Sequence, residues 1–217
     1  MDIKKKKRFS VLVTAGPTRE KIDPVRFISN YSTGTFGYEI AREALRRGCD
    51  VTLISGPTCL KAPRGARLVE IESALEMRDE VRKRAGRCDC VIMAAAVSDW
   101  RARSPEKGKI KRPGGRITLE LEANPDILLE IGKKKKGVLI GFALETENLE
   151  KNALAKLKSK NLDLIVANKL TKGKGLFGAG VTDVTVIDSF GRKDIYRRRT
   201  KRELAEIILD KALNFKI

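Results

Sequence analysis

The 217-residue chain contains no histidine. That removes the commonest general base and the commonest metal ligand, so any chemistry must run on amides, lysines, carboxylates and backbone groups. Aromatic residues are scarce at 5% and do not cluster with the basic ones, which argues against a nucleic-acid binder that stacks bases on rings. The four cysteines, Cys49, Cys59, Cys88 and Cys90, are irregularly spaced and include a CxC rather than a CxxC pair. Neither a zinc site nor a redox motif is indicated, and Cys49 and Cys90 read as small core residues. No apolar run approaches the roughly 20 residues of a membrane span. The run 9–15 behind the basic start is too short for a secretion signal, so a reducing cytoplasm is the expected location. Acids are short as well: 46 Lys and Arg face 28 Asp and Glu, for a net charge of +18. Such an excess suits nucleic acid, anionic lipid or a polyphosphate substrate without choosing among them.

What is present has a rhythm. Continuous apolar runs at 10–14, 51–55, 68–71, 91–97, 138–143 and 162–167 suit strands buried on both faces. Amphipathic patterns at 37–47, 74–85 and 149–160 lie between them. The alternation predicts an α/β, Rossmann-like three-layer sandwich with a mostly parallel sheet. At 41% hydrophobic, without a break in composition, residues 1–217 read as one domain. Ser73 with Glu76 and Thr200 with Glu203 have capping-box spacing, and Asn124 before Pro125 reads as a further helix start. Two polar, glycine-bearing segments, 101–115 and 171–180, are long for connections and are candidate flaps. Alternation of Ile117, Leu119 and Leu121 with polar residues predicts a strand over 116–122 exposed on one face.

Ligands in open parallel sheets sit beyond the carboxyl ends of the strands, so the segments after the apolar runs are of most interest. The stretch ISNYSTGTFG, 28–37, leads into the first helix. Its Gly34 and Gly37 would bring backbone N–H groups to a positive helix end, an anion site, although a purely structural turn explains them as well. It is neither GxGxxG nor a phosphate loop ending in GK[ST], which leaves a nicotinamide oxidoreductase without its fingerprint. In MAAAVSDW, Ala94 and Ala95 would admit a flat ring and Asp99 could accept a base amino group or help hold magnesium. Tight packing with a capping Asp is the equal alternative. Lys107, Lys109, Lys111 and Arg112 crowd one flap, where cations could close over a triphosphate or simply be solvated. Lys156 and Lys160 share a helix face, and with Asn152 in place of an acid they lack the usual i,i+4 partner.

Seven segments, VTAGPTREKIDPVRFISNYSTGTFG, VTLISGP, AAAVSDW, KIKR, NPDIL, GFALET and KNLDLIVAN, occur in the order and spacing of one family. On them the chain resembles bacterial phosphopantothenoylcysteine synthetase, the ligase of coenzyme A biosynthesis. The resemblance implies two steps. The carboxylate of 4'-phosphopantothenate attacks the α-phosphate of CTP to give an acyl-cytidylate and pyrophosphate, and the amine of L-cysteine then displaces CMP. Magnesium would accompany the triphosphate, and no flavin is implied. Asn30 would contact the acyl group, with Ser32, Gly34 and Gly37 lining a neighbouring anion site, and Lys109 matches the first lysine of a KxKK segment in which Arg112 replaces the last. Nucleotide contacts carry over to Met93, Ala94, Ala95, Asp99, Pro125, Asp126, Ile127, Leu128, Phe142, Lys156 and Lys160. A homodimer formed through an extended β-type arm is implied too, with decarboxylation left to a separate chain or to a missing fused half. ATP in place of CTP, and a basic nucleic-acid-binding protein of the same fold class, are the alternatives.

Overall fold

The computed structural model describes residues 8–111, 114–169 and 180–215. The predicted runs form β1 (Ser10–Ala15), β4 (Asp50–Ser55), β5 (Arg67–Glu70), β6 (Cys90–Met93), β9 (Val138–Glu145) and β10 (Leu164–Lys169). These strands are mutually parallel, and with β11 (Thr182–Asp188) and β12 (Lys193–Arg199) they make one eight-stranded sheet in the order β12-β11-β10-β9-β6-β1-β4-β5. Alternate residues feed two separate cores. Val11 and Val13 face the side covered by α1 (Thr35–Arg46) and α5 (Lys201–Leu213). Leu12 faces the side covered by α2 (Ala74–Arg84), α3 (Ile127–Gly132) and α4 (Leu149–Ser159). Both faces being covered is why the inner strands read as unbroken apolar runs; the run at 68–71 is the exception, because β5 lies at the sheet edge and leaves Arg67, Leu68 and Glu70 exposed. Cys49 and Cys90 are buried in the first core, where desolvation pushes the Cys90 thiol far above its ordinary pKa.

The antiparallel hairpin β11–β12 was not expected. Its outer strand carries five charged residues in KDIYRRR, the device by which an edge strand avoids pairing with another chain, and it hides the apolar signal. The hairpin turns the chain twice, so that α5 starts at the same end of the sheet as α1 and runs parallel to it. Arg47 ties the far ends together, pairing with Asp210 and donating to the Glu206 carbonyl at 3.0 Å.

Helix starts follow the capping residues with one correction. Thr200 and Glu203 form the full reciprocal box. Ser73 accepts from the Glu76 N–H, whereas the Glu76 carboxylate takes the Glu72 N–H instead. Asn124 is no cap: Asp126 accepts from the Leu129 N–H at 3.0 Å and starts α3, leaving Pro125 outside it. The Asn124 amide instead donates to the Ser98 carbonyl. The strand expected over 116–122 shrinks to β8 (Leu121–Ala123), paired antiparallel with β7 (Trp100–Ala102) and extended by the Arg103 N–H on the Glu120 carbonyl. Alternation without a facing partner does not make a strand, and residues 116–119 pair with no strand among the described residues. Of the segment 171–180 only Gly180 lies within the described residues, and Arg112 lies outside them. A last small hairpin, β2 (Arg19–Lys21) and β3 (Phe27–Ser29), precedes α1.

Candidate active site

From β1 the chain moves outward through β4 to β5 and then returns to β6 on the other side of β1. At this switch point two strand exits diverge and leave a crevice. A cavity of about 670 Å³ occupies it, with Met93 at the end of β6, Phe142 and Leu144 of β9 and Asn168 of β10 in its lining.

The two exits are sewn together. The Ala95 N–H donates to Thr14 Oγ1 at 3.2 Å, the Ala96 N–H to the Gly16 carbonyl at 3.0 Å, and the Ser98 N–H to Thr18 Oγ1 at 3.0 Å. Thr14 and Thr18 are fully buried, so these hydroxyls fix the alanine segment rather than touch a ligand. β6 itself ends at Met93, four residues before the predicted run does. Ala94 and Ala95 line the cavity floor, and Asp99 stands exposed on its rim. Asn30 lines the cavity from the opposite side, where its Nδ2 donates to the Ala96 carbonyl at 2.9 Å with Ser98 Oγ at 3.5 Å. A primary amide has two N–H donors, and both find an acceptor here, the one on Ser98 at the long limit of a hydrogen bond.

The glycines of ISNYSTGTFG have packing reasons. Gly34 sits at φ 79°, accepts no Cβ because Thr58 Cγ2 would lie 2.7 Å away, and gives its N–H to Ser32 Oγ at 3.3 Å. Ser32 and Gly34 line the cavity. Gly37 does not: it is buried in α1, where a Cβ would meet Ala15 Cβ at 2.6 Å and the Thr14 carbonyl at 2.8 Å. Its role is close approach of helix to strand. The start of α1 has no side-chain cap and no acid in its first turn, so its leading N–H groups and positive dipole end are directed at the cavity edge lined by Thr35 and Phe36.

Pro125, Asp126, Ile127 and Leu128 line the far wall. Phe142 meets Phe36 edge to face, with ring centroids 4.9 Å apart. Lys156 and Lys160 also line the cavity, but they are not unpaired. Lys156 Nζ lies 2.8 Å from Glu145 at the end of β9, and Lys160 Nζ lies 3.0 Å from Asp126. The i,i+4 argument missed these partners because they come from other elements; Asn152 donates to the same Glu145 carboxylate at 2.9 Å. Burial works against ionisation of Glu145, yet Lys156 and Asn152 hold its pKa below the ordinary value. Both lysines are therefore aimed and restrained, and an arriving anion must compete with carboxylates for them.

Among the described residues no three cysteine or acidic side chains group as a metal cage. Asp99 is one exposed carboxylate, and Asp126 is engaged by Lys160. That donor set fits a magnesium ion brought by a triphosphate with one protein carboxylate, not a resident metal.

Lys109 is exposed and lies outside the lining of this cavity. What holds its flap is the buried Asp23 carboxylate, which accepts from the N–H groups of Val25, Arg26 and Ile110 at 2.8, 2.8 and 3.2 Å. Arg26 adds a bond to the Ile110 carbonyl at 2.7 Å. Desolvation alone would raise the Asp23 pKa; the three N–H groups and the Arg26 guanidinium overcome it and lower the value to about 2. A depressed folded pKa gives a contribution that is present above the unfolded value, about 3.9, and is lost as pH falls through about 2. Asp23→Asn should therefore flatten the loss of stability between these two pH values, read as urea midpoints of the two proteins. An equally steep acid limb in both would refute the clamp.

Several lining residues carried no sequence signal. Thr182 lies at the start of β11, and Lys201 is the first residue of α5. Only topology brings them here. Trp100, Asn124 and Asn168 belong to quoted segments, yet none was singled out for the site: Asn124 was read only as a helix cap.

Residues 6–215 match the family described as DNA/pantothenate metabolism flavoprotein C-terminal domain. A Bacillus subtilis relative, the coenzyme A biosynthesis bifunctional protein CoaBC, is 46% identical over 185 residues, which are 84% of this chain and 46% of the relative. The chain thus spans about half the length of the curated relatives it matches. The crystal structure of the C-terminal domain of a coenzyme A biosynthesis bifunctional protein CoaBC shares 39% identity and superposes with a TM-score of 0.80, covering 94% of each chain. The DNA/pantothenate metabolism flavoprotein from Streptococcus pneumoniae shares 27% identity at a TM-score of 0.82, covering 96% of this chain and all of the other. With the match running through both cores and every wall of the switch-point cavity, the chain belongs to the DNA/pantothenate metabolism flavoprotein C-terminal domain family.

Proposed function

We propose that residues 1–217 act as one cytoplasmic ligase domain, joining 4'-phosphopantothenate to L-cysteine at the expense of CTP through an acyl-cytidylate. The observation that carries this reading is a single switch-point cavity lined by every residue the resemblance assigned except Gly37 and Lys109. The nucleotide would lie along Met93 to Ala95, residues 125–128 and Phe142, with Lys156 and Lys160 drawn to its oxygens. Ser32, Gly34 and the uncapped start of α1 would take an anionic group. The Asn30 N–H that lies 3.5 Å from Ser98 Oγ would be redirected to the acyl oxygen as negative charge builds there during attack by the cysteine amine. No histidine is needed, because the nucleotide supplies the leaving group and the chain's task is positioning and charge stabilisation. Asp99 would be the protein carboxylate for a magnesium ion carried by the triphosphate, and the chemistry such an ion would supply is neutralisation of phosphate charge. No flavin takes part, and decarboxylation falls to another polypeptide or domain.

Mass spectrometry of the protein with 4'-phosphopantothenate, magnesium and either CTP or ATP, before and after cysteine, tests the whole scheme. An acyl-cytidylate that cysteine converts to the amide and CMP is the expected result. Reaction with ATP alone would overturn the nucleotide assignment, and consumption of neither would overturn the ligase in favour of a test for RNA binding.

Lys109 would serve the cavity of a second copy in a homodimer. Its place outside the lining of its own cavity supports this, as do Trp100 and Leu121, 54% and 44% exposed on the β7–β8 pair. Lys109→Gln should slow pyrophosphate release by roughly 100-fold, the size of an electrostatic contact to developing charge. Co-refolding it in equal amounts with Asn30→Asp should restore about a quarter of wild-type turnover, because half the dimers then hold one intact site. Failure of the mixture to recover would place Lys109 in its own chain's site or in none.

A further inference from the structure

We infer that the Ser98 hydroxyl is a second donor to the acyl oxygen, paired with Asn30 in the step that forms the amide; the identity of that oxygen rests on the ligase reading. Ser98 follows β6 in the cavity lining and is only 7% exposed. Its backbone is pinned on both sides. The N–H donates to Thr18 Oγ1 at 3.0 Å, and the carbonyl accepts from Asn124 Nδ2 at 2.8 Å. Arg101 donates to Asn124 Oδ1 at 3.0 Å and so fixes which way that amide points. The hydroxyl is held far less. Among the described residues Asn30 Nδ2, 3.5 Å away, is its one hydrogen-bond partner, and towards it Oγ acts as the acceptor. A hydroxyl carries one donor besides its lone pairs, so no described residue takes the Ser98 proton.

Packing does not explain a serine here. A buried hydroxyl with a single long contact costs stability, and alanine would fill the same space without that cost. The spacing suits a shared acceptor instead. At 3.5 Å the contact between Asn30 Nδ2 and Ser98 Oγ is long for a hydrogen bond, but two donors that far apart can each reach one common oxygen at about 2.9 Å. The Ala96 carbonyl, accepting from Asn30 Nδ2 at 2.9 Å, holds the amide so that its remaining N–H points to the Ser98 side. When the cysteine amine attacks, its nitrogen bonds to the acyl carbon and negative charge collects on the acyl oxygen. The bond from that carbon to CMP then breaks, CMP leaves with the electron pair, and the new amide nitrogen loses its extra proton to water. Two donors fixed beside the acyl oxygen lower this barrier without rearranging during the step.

Quenched-flow measurement of pyrophosphate and CMP release by wild type, Ser98→Ala and Ser98→Thr, with the melting temperature of each, tests the inference. Ser98→Ala should slow CMP release after cysteine addition by roughly 10- to 100-fold, the worth of a hydrogen bond to a charged acceptor. Pyrophosphate release, which precedes any charge on the acyl oxygen, should change far less. The melting temperature should stay at or above that of the wild type, because only a long contact is lost. Ser98→Thr keeps the hydroxyl and should recover most of the rate. Wild-type CMP release by Ser98→Ala overturns the inference, as does equal slowing of both steps with a lowered melting temperature, which would mean a structural role. Ser98→Thr as slow as Ser98→Ala at an unchanged melting temperature would overturn it too. Ligation by the wild type that Ser98→Ala matches removes Ser98 alone and leaves the ligase standing. A wild type that forms no acyl-nucleotide removes the ligase reading and this role with it.

Discussion

Asn30→Asp should release pyrophosphate at a near-normal rate yet accumulate the acyl-cytidylate, with amide formation slowed by about 100- to 1,000-fold. The substitution keeps the size of the side chain and removes its N–H donors. Two consequences follow from the geometry. The bond from Nδ2 to the Ala96 carbonyl at 2.9 Å is replaced by two oxygens facing each other, and a negative charge stands where the acyl oxygen gains its own. The first step places its developing charge on the departing pyrophosphate and is affected less. Quenched-flow separation of CMP from pyrophosphate reads the two steps independently, and parallel slowing of both would remove Asn30 from the second. Asn30→Ser, a shorter donor lacking the reach to the Ala96 carbonyl, should lie between the two.

Gly37→Ala should lower stability by about 1–2 kcal/mol, although the same change in an exposed helix raises it. Alanine gains about 1 kcal/mol of helix propensity over glycine. Against this, the new methyl must enter a space where Ala15 Cβ lies at 2.6 Å and the Thr14 carbonyl at 2.8 Å. Both belong to β1, the middle of the sheet, so neither can move aside and α1 must lift. Overpacking of this kind costs typically 1–3 kcal/mol, and with two contacts under 3 Å against a strand that cannot yield the upper part of that range applies, about 2–3 kcal/mol, so the clash wins. For a chain of this length the melting temperature should fall by roughly 2–8 °C. Because lifting α1 also displaces Thr35 and Phe36 in the cavity lining, the KM of a phosphorylated substrate should rise with it. A melting temperature equal to or above that of the wild type would show that the helix does not rest on β1 as described.

Gly37 also shows where reading the sequence stopped. Glycines before a helix fit both an anion loop and a tight approach, and only the neighbours in space separate the two. Gly34 answers to both, being pressed against Thr58 and lining the cavity, while Gly37 answers to packing alone. Lys156 and Lys160 taught the same lesson in charge. Local spacing left them unpaired, and the fold supplied Glu145 and Asp126 from elements distant in sequence.

By itself the sequence determined the sandwich and its central strands, because strands buried on both faces must be apolar throughout and capped helices must begin at their caps. It also determined which exits deserved scrutiny, since the small residues of MAAAVSD and the ISN segment stand directly after or near strand ends. Tertiary structure alone decided that β11 and β12 double back at the sheet edge, where charged outer residues conceal a strand. It alone decided that Lys201 faces the cavity and that Lys109 stands outside it. The physical reason is common to all three. Periodicity and capping are properties of neighbours along the chain, whereas a partner strand, a counter-ion or a cavity wall is fixed only when distant segments have packed.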